Sequence, residues 1–317
     1  MMRAMTVLVA IAALMPPAAG EAAGPAARQV SFPAYESVRN LDEYATPEQY
    51  REAVADRGFV MEQVTYRSDG LDVHAYLYRP AAPSGRMPVI VFNRGSYTWP
   101  AFAAELVTMA RRLARRGYVV VAPMYRGSGG AAGRDEMGGA DLADLFNLLP
   151  VIRDLGYADP DRLYLYGESR GGMMVYQALR DGFPARAAAV VGAFSDLERM
   201  LAVPRWAEAA ATIWPDLSTR RERIVERRSA LRWADRIGAP VLILHGARDS
   251  AVDPSHALDM AEKLALSGKP YELHIVEGEG HTLSRRASER DQWVTDWFER
   301  HGAAPAPPRP GQSRSSM

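Results

Sequence analysis

Gly167-Glu168-Ser169-Arg170-Gly171 sets a serine between two glycines. It follows the apolar and aromatic run Leu163-Tyr164-Leu165-Tyr166 and precedes Met173-Met174-Val175-Tyr176-Gln177-Ala178-Leu179, which has helical spacing. A buried strand that turns sharply at a glycine into a helix holds its serine in a strained backbone conformation, with the hydroxyl over the sheet edge. Gly167 and Gly171 leave the room for that turn, because side chains there would meet the neighbouring strand or helix. The hydroxyl would stand at a helix N-terminus, whose free N–H groups favour negative charge. The chemistry that fits is nucleophilic attack on a carbonyl. A glycine-flanked serine that merely caps a helix has the same local sequence, so the rest of the chain decides.

A serine hydroxyl is a weak nucleophile at neutral pH; it needs an adjacent base, and the base needs an orienting carboxylate. With a nucleophile on such a turn, the order along the chain is serine, acid, histidine, each in a loop after a strand. Of the six histidines, His281 meets this, in the turn Glu277-Gly278-Glu279-Gly280-His281 after the last strand. His74 and His274 fall within strands, His256 on a helix and His301 beside the tail; His245 ends a strand but precedes the acid candidates. Those candidates are Asp249 and Asp253. Asp253 precedes Pro254 and reads as a helix N-cap, which leaves Asp249 to orient His281, with the reverse assignment as the alternative. The oxyanion needs two donors. One is the N–H of Arg170, after the nucleophile; the other comes from Asn93-Arg94-Gly95-Ser96-Tyr97, with Arg94, Gly95 and Tyr97 as candidates.

The elements that must position these groups follow from hydrophobic periodicity. Phe59 to Tyr66 and Leu71 to Tyr78 alternate about the turn Asp69-Gly70, a hairpin. Strand and helix then alternate: strands at 88–92, 118–122, 162–166, 187–193, 241–244 and 271–276, helices at 101–116, 140–155, 169–180, 255–266 and 287–300. Near-continuous apolar strands joined by amphipathic helices imply a mostly parallel eight-stranded sheet with helices on both faces, the α/β-hydrolase fold. Thr46-Pro47-Glu48-Gln49 starts a helix in an N-terminal extension, 21–58. The stretch from Ser195 to Trp233 breaks the alternation and reads as a small helical cap above the strand ends, where ligands bind in such sheets; a surface hairpin away from the site is the alternative.

Composition bounds the rest. The chain has 317 residues, 48% hydrophobic and 24% charged, with formal net charge 0, so neither nucleic acid nor an anionic surface is indicated as a partner. Arg3, the apolar run Thr6 to Met15 and the small residues before Glu21 form a signal peptide over 1–20, which predicts export to the periplasm or beyond. That run is too short for a membrane span. Residues 303–317 read as a disordered Pro- and Ser-rich tail. There are 0 cysteines, so no thiol nucleophile. Gly127-Ser128-Gly129-Gly130-Ala131-Ala132 matches a dinucleotide pattern but follows the fourth strand rather than the first. No P-loop, H-E-x-x-H or cysteine ligand set occurs, so no cofactor or metal is implied.

Several ordered motifs carry a resemblance: Tyr125-Arg126-Gly127-Ser128-Gly129-Gly130, then Gly139-Ala140-Asp141-Leu142-Ala143-Asp144, Asp159-Pro160-Asp161-Arg162 and the serine turn. His245-Gly246, Asp249, Ser250-Ala251-Val252-Asp253-Pro254 and Gly280-His281 continue it. From Phe59 to His301 the chain resembles the catalytic domain of the prolyl oligopeptidase and dipeptidyl aminopeptidase serine peptidases. The resemblance implies peptide cleavage through an acyl-enzyme on Ser169 and makes Asp249, not Asp253, the triad acid. The family carries a β-propeller before this domain, whereas only a few dozen residues precede Phe59 here. It also places a tyrosine oxyanion donor at the Asn93 position. A carboxylesterase with the same triad, acting on small esters, is therefore the second reading, and a binding protein on a hydrolase fold the third.

Overall fold

The computed structural model describes residues 27–38, 40–96 and 102–302; the expected signal peptide and tail, and Tyr97, lie outside the described residues. Strand β1 (Ala27–Gln29) is followed by helix α1 (Pro47–Ala55) and strands β2 (Phe59–Ser68), β3 (Leu71–Pro80) and β4 (Met87–Asn93). Then come α2 (Phe102–Ala114), β5 (Val119–Pro123), α3 (Leu142–Phe146), α4 (Leu148–Asp154), β6 (Ala158–Glu168), α5 (Arg170–Arg180) and β7 (Ala187–Val191). Helices α6 (Leu197–Leu201), α7 (Pro204–Ile213) and α8 (Leu217–Arg228) precede β8 (Val241–Gly246), α9 (Ser255–Leu266), β9 (Tyr271–Val276) and α10 (Ala287–Gly302).

The strands form one sheet in the order β1-β2-β3-β5-β4-β6-β7-β8-β9, antiparallel as far as β5 and parallel from there to β9. The strand period of two divides the core into two layers. Val89, Val91, Leu163 and Leu165 face one layer, with α3, α4, α5 and α9. Ile90, Phe92, Tyr164 and Tyr166 face the other, with α2 and α10. Burial on both faces is what the continuous apolar strands require. The parallel crossovers then deliver the loops after β4, β6, β7, β8 and β9 to a single edge of the sheet.

Two details differ from the periodic reading. A ninth strand, β1, pairs antiparallel with β2 (Ala27 opposite Val64), beyond the eight expected. Its three residues are exposed and carry no apolar alternation, so only the open edge of β2 recruits them. The single helix expected over 140–155 is two, α3 and α4, because Pro150 has no N–H to give to Phe146 and its ring crowds that carbonyl. Ahead of the hairpin, Thr46 and Gln49 form the expected reciprocal cap at the start of α1.

Candidate active site

At the end of β6 the chain reverses into α5 through Ser169, whose backbone sits at φ +54° and ψ −120°. Few non-glycine residues adopt this conformation, and it persists only where the surroundings impose it. Here the Ser169 N–H is held by Val191 O of β7 (2.8 Å), and its carbonyl accepts Gly172 N–H (2.9 Å). The flanking glycines are sterically required. A Cβ on Gly167 would stand 2.5 Å from Gly171 O, and one on Gly171 would stand 1.9 Å from Asn93 O. The turn is therefore wedged between β4 and its own helix.

The next two strands bring in the other groups. Asp249 follows β8 with its carboxylate wholly buried, and Oδ2 lies 2.7 Å from Nδ1 of His281, in the loop after β9. The two loops are joined by Ala247 N–H to Val276 O (2.9 Å) and Arg248 N–H to Glu279 O (2.8 Å). Asp249 Oδ1 accepts the N–H groups of Ala251 (2.8 Å) and Val252 (2.9 Å). Burial alone would raise the Asp249 pKa, but His245, His281 and Val252 N–H together hold it well below the usual carboxylate range. Asp253 makes no such contact: its carboxylate accepts the N–H of Ser255 (2.9 Å), the first residue of α9, whose N-cap position falls on Pro254 rather than on Asp253 as expected. The imidazole of His281 rests against Gly192, the residue after Val191. The end of β7 thus touches both the serine turn and the histidine loop.

The loop after β4 lies beside the serine. An ideal Cβ on Gly95 would be 3.3 Å from Ser169 Cβ. Two arginines fix this loop. Arg94 Nη1 donates to Gly95 O and Ser96 O (3.2 Å each), and Arg170 Nη1 donates to Ser96 O (3.0 Å). Both guanidinium groups are buried about the Tyr125 ring and meet Asp135; Arg170 binds its two carboxylate oxygens at 2.6 Å each and also reaches Asp141 (2.8 Å). Burial, with the nearby charge of Arg170, pushes Arg94 down to about 10. Local spacing points only to the backbone N–H groups of Arg94 and Arg170; the charge network of their side chains is not visible in it. As the first residue of α5, Arg170 has an N–H with no intrahelical acceptor. Asn93 is turned into the core, where its amide oxygen accepts Tyr125 O–H (2.7 Å).

Ser169 and His281 line one cavity of about 260 Å³. Phe92, Phe102, Leu106 and Met109 make it apolar on one side, and Trp206 of α7 contributes from the expected cap. Arg205, beside it, donates to Ser250 O (2.6 Å) and Ala251 O (2.8 Å), tying α7 to the Asp249 loop. At the polar end, Arg290 of α10 donates to Glu168 Oε1 (3.0 Å) and Thr282 O (2.7 Å), joining the residue before the serine to the one after the histidine. Glu43 and Tyr44 of the N-terminal extension also line the cavity. Burial raises the Tyr44 phenol pKa, as do the carboxylates of Glu105 and Glu168. Periodicity gave no signal for this wall, since Glu43 and Tyr44 lie in an aperiodic stretch. Among the described residues no cluster of three or more His, Asp or Glu could hold a metal ion, and no helix is long and apolar enough to cross a membrane.

Comparison with known proteins agrees with this geometry. Residues 101–304 match the model of the prolyl oligopeptidase family, peptidase family S9. The chain is 29% identical over 243 residues to the uncharacterized peptidase YtmA of Bacillus subtilis, covering 74% of this chain and 92% of that protein. A puromycin-hydrolyzing peptidase of Mycobacterium tuberculosis superposes with TM-score 0.67 and 28% identity over 78% of this chain; the match spans only 40% of that longer chain. The fold also extends to an acetyl xylan esterase of Paenibacillus sp. R4, with TM-score 0.63 and 20% identity, over 78% of this chain and 85% of that one. With a family match across well over half its length, this chain belongs to the prolyl oligopeptidase family.

Proposed function

We propose that the protein is a serine hydrolase that cleaves peptide or aminoacyl amide bonds through an acyl-enzyme on Ser169. His281 takes the Ser169 proton as the hydroxyl oxygen attacks the carbonyl carbon, then gives it to the leaving amine as the C–N bond breaks. Water, deprotonated by the same imidazole, releases the acid and restores the serine. Asp249 holds the tautomer with the proton on Nδ1, leaving Nε2 as the base. The N–H groups of Arg170 and of the Arg94–Gly95 loop serve the oxyanion; removing one such donor typically costs about 10²- to 10³-fold in kcat.

The observation that carries the reading is the 2.7 Å contact of Asp249 Oδ2 with His281 Nδ1, at a cavity His281 shares with Ser169. Relatives named as peptidases support amide substrates. Ester cleavage by the same groups is the second reading, favoured by Asn93: where the family resemblance places a tyrosine donor, this chain has a side chain buried in the core. Profiling aminoacyl-β-naphthylamides against p-nitrophenyl esters decides between the two. Labelling by a fluorophosphonate, abolished in Ser169→Ala with the fold intact, tests the mechanism common to both; an unlabelled, well-folded wild type would leave only a binding function. We also propose export, on the charged and apolar pattern of residues 1–20. Fractionation of expressing cells, with N-terminal sequencing of the mature chain, checks it, and an intact cytoplasmic protein would refute it.

A further inference from the structure

His245, the strand-end histidine set aside as a base, is wholly buried at the end of β8. Its Nε2 stands 2.9 Å from Val252 O and 3.0 Å from Asp249 Oδ2. Two oxygen acceptors at that range require the proton on Nε2. Nδ1 is then a buried lone pair with no partner among the described residues. Asp249 Oδ1 is occupied by two backbone N–H groups, and Oδ2 is shared between His245 and His281. Rotating the carboxylate would disturb all four contacts.

We propose that His245 is a positioning residue for the hydrolysis, its Nε2–H closing the Asp249–Val252 loop and holding Oδ2 toward His281. The inference rests on the reading of Asp249 as the acid that orients His281. His245 is buried behind Asp249 and is not among the residues lining the cavity; it acts only through the carboxylate. Its N–H also draws on charge that would otherwise act on His281 alone. The charge of His281 acts on Glu168, itself paired with Arg290, and the other carboxylate of its own loop, Glu279, pairs with Arg285. His245 itself faces Asp249 and, on α9, His256. Substituting residue 245 leaves the groups about His281 in place except for the Asp249 contact, so a change in the pH profile reports that contact.

The test uses the full chain, fluorophosphonate labelling and hydrolysis of p-nitrophenyl butyrate, with His245→Leu and His245→Gln. Gln carries an amide N–H to the Nε2 position, and Leu carries none. His245→Leu is expected to lower kcat about 10- to 100-fold, the scale of a small misplacement of a reacting group, with KM little changed. The acid limb of its kcat/KM profile moves to higher pH, because an Asp249 relieved of one donor stabilises the His281 imidazolium more strongly. His245→Gln restores most of kcat and returns the limb. Wild-type kinetics in His245→Leu, or equal losses in both variants with an unmoved limb, would overturn the proposal. Should His245→Leu not fold, His245→Gln is compared with His245→Asn, whose amide nitrogen falls at the Nδ1 position; Gln above Asn supports the role and equality overturns it. A wild-type chain that fluorophosphonate fails to label overturns the acyl-enzyme reading and this inference with it. A labelled wild type with an indifferent Leu variant overturns this inference alone.

Discussion

A Cβ atom added to Gly192 would stand 2.9 Å from Nδ1 of His281 and 2.6 Å from its carbonyl oxygen. Gly192 also has φ +57° and donates its N–H to Leu244 O (3.0 Å), so neither the strand end nor the histidine loop can yield freely. Gly192→Ala therefore moves His281. We expect kcat to fall about 10- to 100-fold, together with a stability cost of about 1–2 kcal/mol for the left-handed backbone. Steady-state kinetics and a thermal melt check this, and an unchanged kcat would show that the loop absorbs the methyl group.

The two candidate acids separate by mutation. Asp249→Asn places an amide against His281 Nδ1 and favours the wrong tautomer, which costs about 10³- to 10⁴-fold in kcat. Asp253→Asn keeps an acceptor for Ser255 N–H and leaves kcat at the wild-type value. Activity in the first variant with loss in the second would transfer the acid role to Asp253.

Asp135 compensates two buried guanidinium groups, those of Arg94 and Arg170, that hold the Gly95–Ser96 backbone beside Ser169. Asp135→Asn leaves positive charge uncompensated in the core, at about 3–5 kcal/mol. Denaturant unfolding measures the loss. Hydrolysis by the fraction that stays folded falls as well, because the same carboxylate sets the two arginines that hold the loop beside Ser169; a stable Asp135→Asn protein would refute the network's importance.

His256 gives the acid side of stability a definite sign. Burial, with the charge of Arg199, lowers its pKa from 6.5 to about 4, and its Nδ1 faces Ser195 N–H at 3.3 Å. The folded state holds the imidazole neutral while the unfolded chain takes up a proton below about pH 6.5. This contribution is complete above that value and is lost as pH falls toward 4, to a total of roughly 3 kcal/mol. His256→Asn, whose Oδ1 can accept Ser195 N–H, should flatten the stability profile between those limits. Denaturant titrations at several pH values read it out, and an unaltered slope would refute it.

The sequence by itself determined the strand-helix alternation, the glycines of the serine turn, and the order of Ser169, Asp249 and His281, because hydrophobic period and steric need at a turn are local properties. Asp before Pro at a helix start is likewise a local pattern; it favours Asp249 over Asp253 as the orienting acid but leaves the reverse assignment open. The tertiary structure alone decided which groups share a hydrogen bond across the sheet edge. His245 and Asp249 are four residues apart, yet only the bend after β8 brings His245 Nε2 to the carboxylate oxygen that His281 also meets. Glu168 meets Arg290 because α10 packs back against the end of β6, and Glu43 and Tyr44 reach the cavity from an aperiodic stretch. Asn93 has its fate set by Tyr125, 32 residues away. Contacts of this kind depend on which buried polar atoms find one another when the layers close, and no spacing along the chain encodes that.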